Sequence, residues 1–141
     1  MLKVVCAIII NENKVLVTQL LAGNSRAFEW EFPGGKIKPG ESAETAVIRE
    51  ISEELTVEIK ICEAMTSVTD NDGEKNFELI PFLCKIQSGE IKLMEHNQMC
   101  WLNFDELNNL ELSAADKKLI QHSNNRQILK KYAGKNMHNP C

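Results

Sequence analysis

The chain has 141 residues, 43% of them hydrophobic and 26% charged, with a net charge of −4. That length suits one domain with a core of ordinary size. The acidic balance argues against long nucleic acid as a partner, because polymer binding draws on a basic surface. The longest apolar stretch, residues 4–10, is too short to span a membrane and lacks a following cleavage site, so it reads as a buried strand and not a signal peptide.

Residues 4–10, VVCAIII, are rich in β-branched side chains and end at Asn11-Glu12-Asn13, a turn composition. Residues 14–20 read as the hairpin partner. Residues 22–29 contain Gly23, Asn24 and Ser25 with no period, so a loop is expected. A short strand over 30–32 ends at Pro33-Gly34-Gly35. Residues 42–55 carry Ala43, Ala46, Val47, Ile51 and Leu55 at helical spacing. Strands at 57–63 and 65–69 precede a hairpin turn at Asn71-Asp72-Gly73 and a strand over 76–86. Pro81 cannot donate to a ladder, so a bulge or an edge position is expected there. A strand over 99–103 is followed by helices over 105–110 and 113–123, the second capped by Ser113. Residues 124–141 predict a final helical turn and a frayed tail. Strands and helices alternate irregularly without repeat or linker, which makes residues 1–141 a single α+β domain.

Five cysteines stand at 6, 62, 84, 100 and 141, without a Cys-x-x-Cys pair. They read as reduced core thiols of a cytoplasmic protein. The basic residues between Lys117 and Lys135 read as the solvated face of a helix.

The chemistry concentrates in residues 35–57, GKIKPGESAETAVIREISEELTV. Glu50, Glu53 and Glu54 stand at i, i+3 and i+4, so they leave one helix face together. Crowded carboxylates repel unless a cation sits among them, and a hard divalent ion takes oxygen ligands. Gly34 and Gly35 would let the backbone approach metal or phosphate closely. Arg49, one residue before Glu50, suits orienting a carboxylate through a bidentate pair. Glu41, near the helix N-terminus, has both a structural and an outer-ligand reading.

This pattern resembles the Nudix hydrolase signature, Gly-x5-Glu-x7-Arg-Glu-U-x-Glu-Glu-x-Gly-U with U a bulky aliphatic. Gly35, Glu41, Arg49, Glu50, Ile51, Glu53, Glu54 and Val57 fill its positions, and Thr56 replaces its second glycine. The flanking WEFPGGKIKPGE is similar to the MutT branch, and the resemblance runs from Val4 to about Ile120. It implies an α/β/α sandwich with a mixed central sheet. It also implies hydrolysis of a nucleoside triphosphate, dependent on Mg²⁺ or Mn²⁺, to nucleoside monophosphate and pyrophosphate. Other nucleoside diphosphate-X compounds are alternative substrates. A catalytically silent nucleotide sensor is the rival reading, against which all the box glutamates are retained. A homodimer is compatible with the family.

The resemblance makes Glu50 and Glu54 the main metal ligands, adds a carbonyl near Gly35, and leaves Glu53 as ligand or base. Glu95, six residues before Trp101, matches a further metal-binding or basic glutamate, with a solvated loop acid as its other reading; Glu53, Arg49 and Glu95 are the expected catalytic residues. His96 beside it reads as a loop residue. Asp116 matches the place of an Asn or Asp that reads the base edge, and it would favour an exocyclic amine because a carboxylate only accepts. As N3 of its helix, Asp116 also has a purely structural reading. Phe28 and Phe77 are candidate stacking faces for the base. Gln19-Leu20 stands where relatives carry an arginine. A β-branched Thr56 costs about 1–2 kcal/mol in a left-handed conformation, so the helix is expected to end by another path.

Overall fold

The computed structural model describes residues 1–23 and 26–141; Asn24 and Ser25, part of the expected loop, lie outside the described residues. In chain order the elements are β1 (Leu2–Asn11), β2 (Lys14–Leu20), β3 (Trp30–Glu31), β4 (Gly34–Lys36) and α1 (Ala43–Leu55). There follow β5 (Val57–Ala64), β6 (Val68–Asn71), β7 (Asn76–Gly89), β8 (His96–Leu102), α2 (Phe104–Asn108), α3 (Ala114–Gln121) and α4 (Ser123–Tyr132). No helix among the described residues is long and apolar enough to cross a membrane.

β1 is the spine of a mixed sheet. It pairs in parallel with β7, from Leu2↔Phe77 to Ile9↔Cys84. Its other edge pairs antiparallel with β4 first and then with β2 at the hairpin turn. Both faces are covered, so the run 4–10 is apolar without alternation. Val5, Ala7 and Ile9 pack under α1 with Ala46, Val47, Ile51 and Leu55. Cys6, Ile8 and Ile10 pack on the opposite face with Leu119, Ile120 and Leu129 of α3 and α4. Each fully buried Val, Leu or Ile contributes on the order of 1.5–3 kcal/mol, which holds the helices on both sides. This is the α/β/α sandwich that the sequence implies.

Several local expectations need correction. β4 was not anticipated, because a three-residue strand with two glycines has no pattern of its own. Pro81 is neither at an edge nor in a bulge: it lies opposite Cys6 of β1, inside the sheet. On its other side its carbonyl accepts from Met65 N at 3.0 Å. There β7 passes from β6, ending at Val68↔Leu79, to β5, starting at Ala64↔Phe82. The missing N–H thus falls in the gap between two partners, where no ladder bond is lost.

The final helical turn is a ten-residue helix, α4. Its anchor is polar, which hid it from a hydrophobic pattern. Asn125 is fully buried and donates to the carbonyls of Thr66 (2.8 Å) and Leu119 (3.1 Å), while its Oδ1 accepts from Thr66 N at 2.8 Å. The tail is not wholly frayed either. Cys62 of β5 and Cys141 form a disulfide across 79 residues, so the reading of all five cysteines as reduced thiols fails for this pair. Cys6 and Cys84 are buried free thiols, as expected, and Cys100 is half-buried.

Candidate active site

α1 begins at Ser42, whose hydroxyl accepts from Thr45 N at 3.1 Å. Its buried stripe of Ala46, Val47, Ile51 and Leu55 includes one acid, Glu54, seven residues after Val47. Helical spacing therefore drives Glu54 under the sheet, where its side chain is 3% exposed, while that of Glu53 is 48% exposed. The helix ends at Thr56 in the left-handed conformation, φ 62° and ψ 25°, which corrects the expected alternative path. Its N–H caps Ser52 O, and Oγ1 donates to Glu90 O at 2.8 Å. That bond offsets part of the strain of a β-branched residue there.

Arg49 organises the acids on the open side. Its Nε and Nη2 grip both oxygens of Glu41, at 2.6 and 2.8 Å. Nη1 donates to Glu50 at 3.0 Å and to Glu53 at 3.2 Å, and Nη2 also reaches Lys36 O at 3.2 Å. Glu41 is drawn down to a pKa of about 2, first by the Arg49 bonds and then by the N–H of Lys38. Arg49 is in turn held fully charged, chiefly by its bonds to Glu41. Glu41 is thus tied to the β4 end of the site as a clamp on Arg49.

On the buried side, Glu54 meets residues that its own helix does not supply. His96, expected in a loop, is instead the first residue of β8, and its side chain is 3% exposed. Its Nε2 lies 3.2 Å from Glu31 Oε2 and 3.6 Å from Glu54 Oε1. Burial first, then the charges of Glu50, Glu31 and Glu95, push the Glu54 carboxyl well above the usual range. Glu95, exposed just ahead of β8, is thereby brought to the same cluster. Glu31 was overlooked in the sequence, and His96 was read as a loop residue where it begins β8. Glu31 did leave a signal: it is the lone acid between Trp30 and Phe32, both of which turn to the core. His96 left none, since its place depends on the pairing of β8 with β2.

A cavity of about 730 Å³ opens beside this cluster. Gly34, Gly35 and Glu31 border it on one part, and Phe32, Phe77 and Asp116 on another. The two glycines answer different demands. A Cβ on Gly34 would strike the carbonyl of Val5, so that glycine serves the close β1–β4 pairing and not an approach of ligand. A Cβ on Gly35 would come within 2.5 Å of the Glu50 carboxyl, so its absence makes room for a box glutamate. Asp116 is buried at the α3 N-terminus, and its Oδ2 accepts from Ser113 Oγ (2.8 Å) and Phe32 N (3.2 Å). Burial raises its pKa to about 7 despite the Ser113 bond. Phe77 is half-buried and lines the cavity. Phe28 is 55% exposed and is not among the described residues that line it.

The donor set suits a hard divalent cation. Among the described residues Glu54 Oε2 is buried without a hydrogen-bond donor. An orphaned carboxylate oxygen in a cluster of four acids is costly unless a positive charge completes it. Among the described residues no three acidic, histidine or cysteine side chains already form a ligand cage. Arg49 holds Glu50 and Glu53 at 3.0 and 3.2 Å.

The NUDIX domain family matches residues 2–123 of the chain. The CTP pyrophosphohydrolase of Escherichia coli K12 is 32% identical over 121 residues, covering 86% of this chain and 90% of that one. The putative 8-oxo-dGTP diphosphatase 2 of Mycobacterium tuberculosis is 31% identical over 122 residues, covering 83% and 84%. Among solved structures, the MutT protein from Methanosarcina mazei Go1 aligns with a TM-score of 0.80 at 25% identity, covering 90% of this chain and 94% of that one.

Proposed function

The chain belongs to the Nudix hydrolase family, in its MutT-like branch, and from that footing we propose that it hydrolyses a nucleoside triphosphate to nucleoside monophosphate and pyrophosphate. Nudix hydrolases generally use a divalent metal, and Mg²⁺ or Mn²⁺ is the ion assigned to this one. The observation that carries the reading is the buried, unpartnered Glu54 oxygen in an acid cluster beside a cavity of nucleotide size.

Glu50, Glu53, Glu54 and Glu95, with the Gly35 carbonyl, are the residues that would hold the ion. Such an ion neutralises phosphoryl oxygens and acidifies bound water. Arg49 keeps Glu50 and Glu53 in place through its fork. Glu53, the most exposed of the three box acids, is the group suited to take the proton from the attacking water. Asp116 and Phe77 form the base end of the cavity, with Gly34 in its wall; Phe28, away from it, has no role in this reading. Asp116 accepts from an exocyclic amine when ionised and can donate when protonated.

The test is a panel of canonical, oxidised and methylated nucleoside triphosphates, with nucleotide sugars alongside, assayed for pyrophosphate with Mg²⁺ and with Mn²⁺. Release of pyrophosphate from one or more triphosphates is the expected result. Binding without turnover across the panel would leave a silent sensor in its place.

A further inference from the structure

Gln19, buried in β2, spends its whole amide on one irregularity of the fold. Its Oε1 accepts from Asn97 Nδ2 at 2.7 Å and from Gln98 Nε2 at 2.8 Å, and its Nε2 donates to Phe28 O at 3.1 Å. The β2–β8 register shifts at that point: Gln19 faces Gln98, yet Leu20 faces His96, which leaves Asn97 as the extra residue of a bulge. A bulge re-aims the side chains beside it. Here the neighbour is His96, and the re-aimed ring enters the acid cluster between Glu31 of β3 and Glu54 of α1.

Among the described residues His96 Nδ1 is buried with no partner, whereas Nε2 faces two carboxylates. The ring proton therefore belongs on Nε2, which donates to Glu31 and leans on Glu54. The Glu50 carboxyl meets Glu54 from their own helix, and among the described residues His96 is the one cation-capable side chain that an ion pair brings to Glu54 from the sheet side. We propose that His96 is a positioning residue, aimed by the Gln19–Asn97–Gln98 bulge, that sets the Glu54 carboxylate for a divalent cation. The inference rests on Glu54 being a ligand, as assigned above. It also gives Gln19 a task where relatives were expected to carry arginine: it shapes the strand and does not meet the phosphates.

The experiment is direct Mn²⁺ titration of the full chain without nucleotide, followed by electron paramagnetic resonance of free ion. His96→Leu removes the donor and should weaken Mn²⁺ binding about 10–100-fold, the usual scale for partners of metal ligands. His96→Gln retains an N–H and should recover part of that loss. Asn97→Ala loosens the bulge with His96 still present and should give a smaller loss in the same direction. With metal saturating, KM for nucleotide should stay within about twofold of wild type in all three. Glu54→Gln is the control. If it leaves Mn²⁺ affinity unchanged, the metal-site reading itself falls. If it weakens binding while His96→Leu and Asn97→Ala do not, His96 is only a packed core residue and the inference is overturned. Should His96→Leu fail to fold, the Gln and Ala variants decide the matter by the same readout.

Discussion

The acids of α1 and the acid of α3 are held by opposite means. On α1, Glu41, Glu50 and Glu53 share one arginine at a partly open surface, and Arg49 keeps Glu41 ionised. At α3, no cation is among the described hydrogen-bond partners of Asp116; a hydroxyl and a backbone N–H hold it in the interior, and burial raises its pKa to about 7 against the smaller pull of Arg26. The first arrangement supplies fixed charge, as phosphate chemistry demands. The second supplies a group whose hydrogen-bonding character changes near neutrality, as discrimination between bases can use. In the function proposed above, one fold would thus separate reaction from recognition by the way it treats a carboxyl group.

The hardest blow to that contrast falls on the α1 side. Glu53→Gln should lower kcat by about 10²–10⁴-fold, the range for loss of a general base, with little change in thermal midpoint because the side chain is half exposed. An unchanged kcat would remove Glu53 from the chemistry.

Asp116→Asn probes the other side through stability. With a folded pKa of about 7 against roughly 3.9 unfolded, the native state keeps a proton that the unfolded chain releases. The stability from that proton is full below about pH 4, declines as pH rises, and is gone above about pH 7. Wild type should therefore lose on the order of a few kcal/mol relative to Asp116→Asn between pH 4 and 8. Paired thermal melts across that range measure it, and parallel curves would mean Asp116 stays ionised. The same variant should reorder the preferred bases, whereas equal slowing of all substrates would mark Asp116 as a helix cap.

The mildest test concerns the end of α1. Thr56→Val keeps the β-branch in its left-handed conformation but loses the bond to Glu90, and should cost about 1 kcal/mol in urea melts. Thr56→Gly loses the bond and the strain together, so its net change should be under about 1 kcal/mol. If the Val variant matched wild type, the Glu90 bond would not be what steadies this helix end.

Much of this was legible before any coordinates. β1, β2 and α1 declare themselves through β-branched runs and helical spacing, and the box glutamates through their interval. Asp116, marked by motif resemblance, and Phe77, marked as an aromatic face, both line the cavity, whereas Phe28 is exposed and is not among the described residues that line it. What escaped has a common cause: it depends on contacts between strands distant in sequence. β4 exists because β1 offers an edge, and α4 packs through Asn125, a residue no apolar pattern marks. His96 is buried by a bulge that pairs Leu20 with it across 75 intervening positions. The Cys62–Cys141 bridge likewise joins an edge strand to a tail whose composition suggested no anchor.

The space that Gly35 leaves empty is filled by the carboxyl of a residue fifteen positions further on. A methyl group at 35 would push the end of Glu50 out of its present place, a move that the flexible side chain can make but that takes its carboxyl away from where it now lies. A glycine that looks like a hinge is better understood as the mould of a side chain.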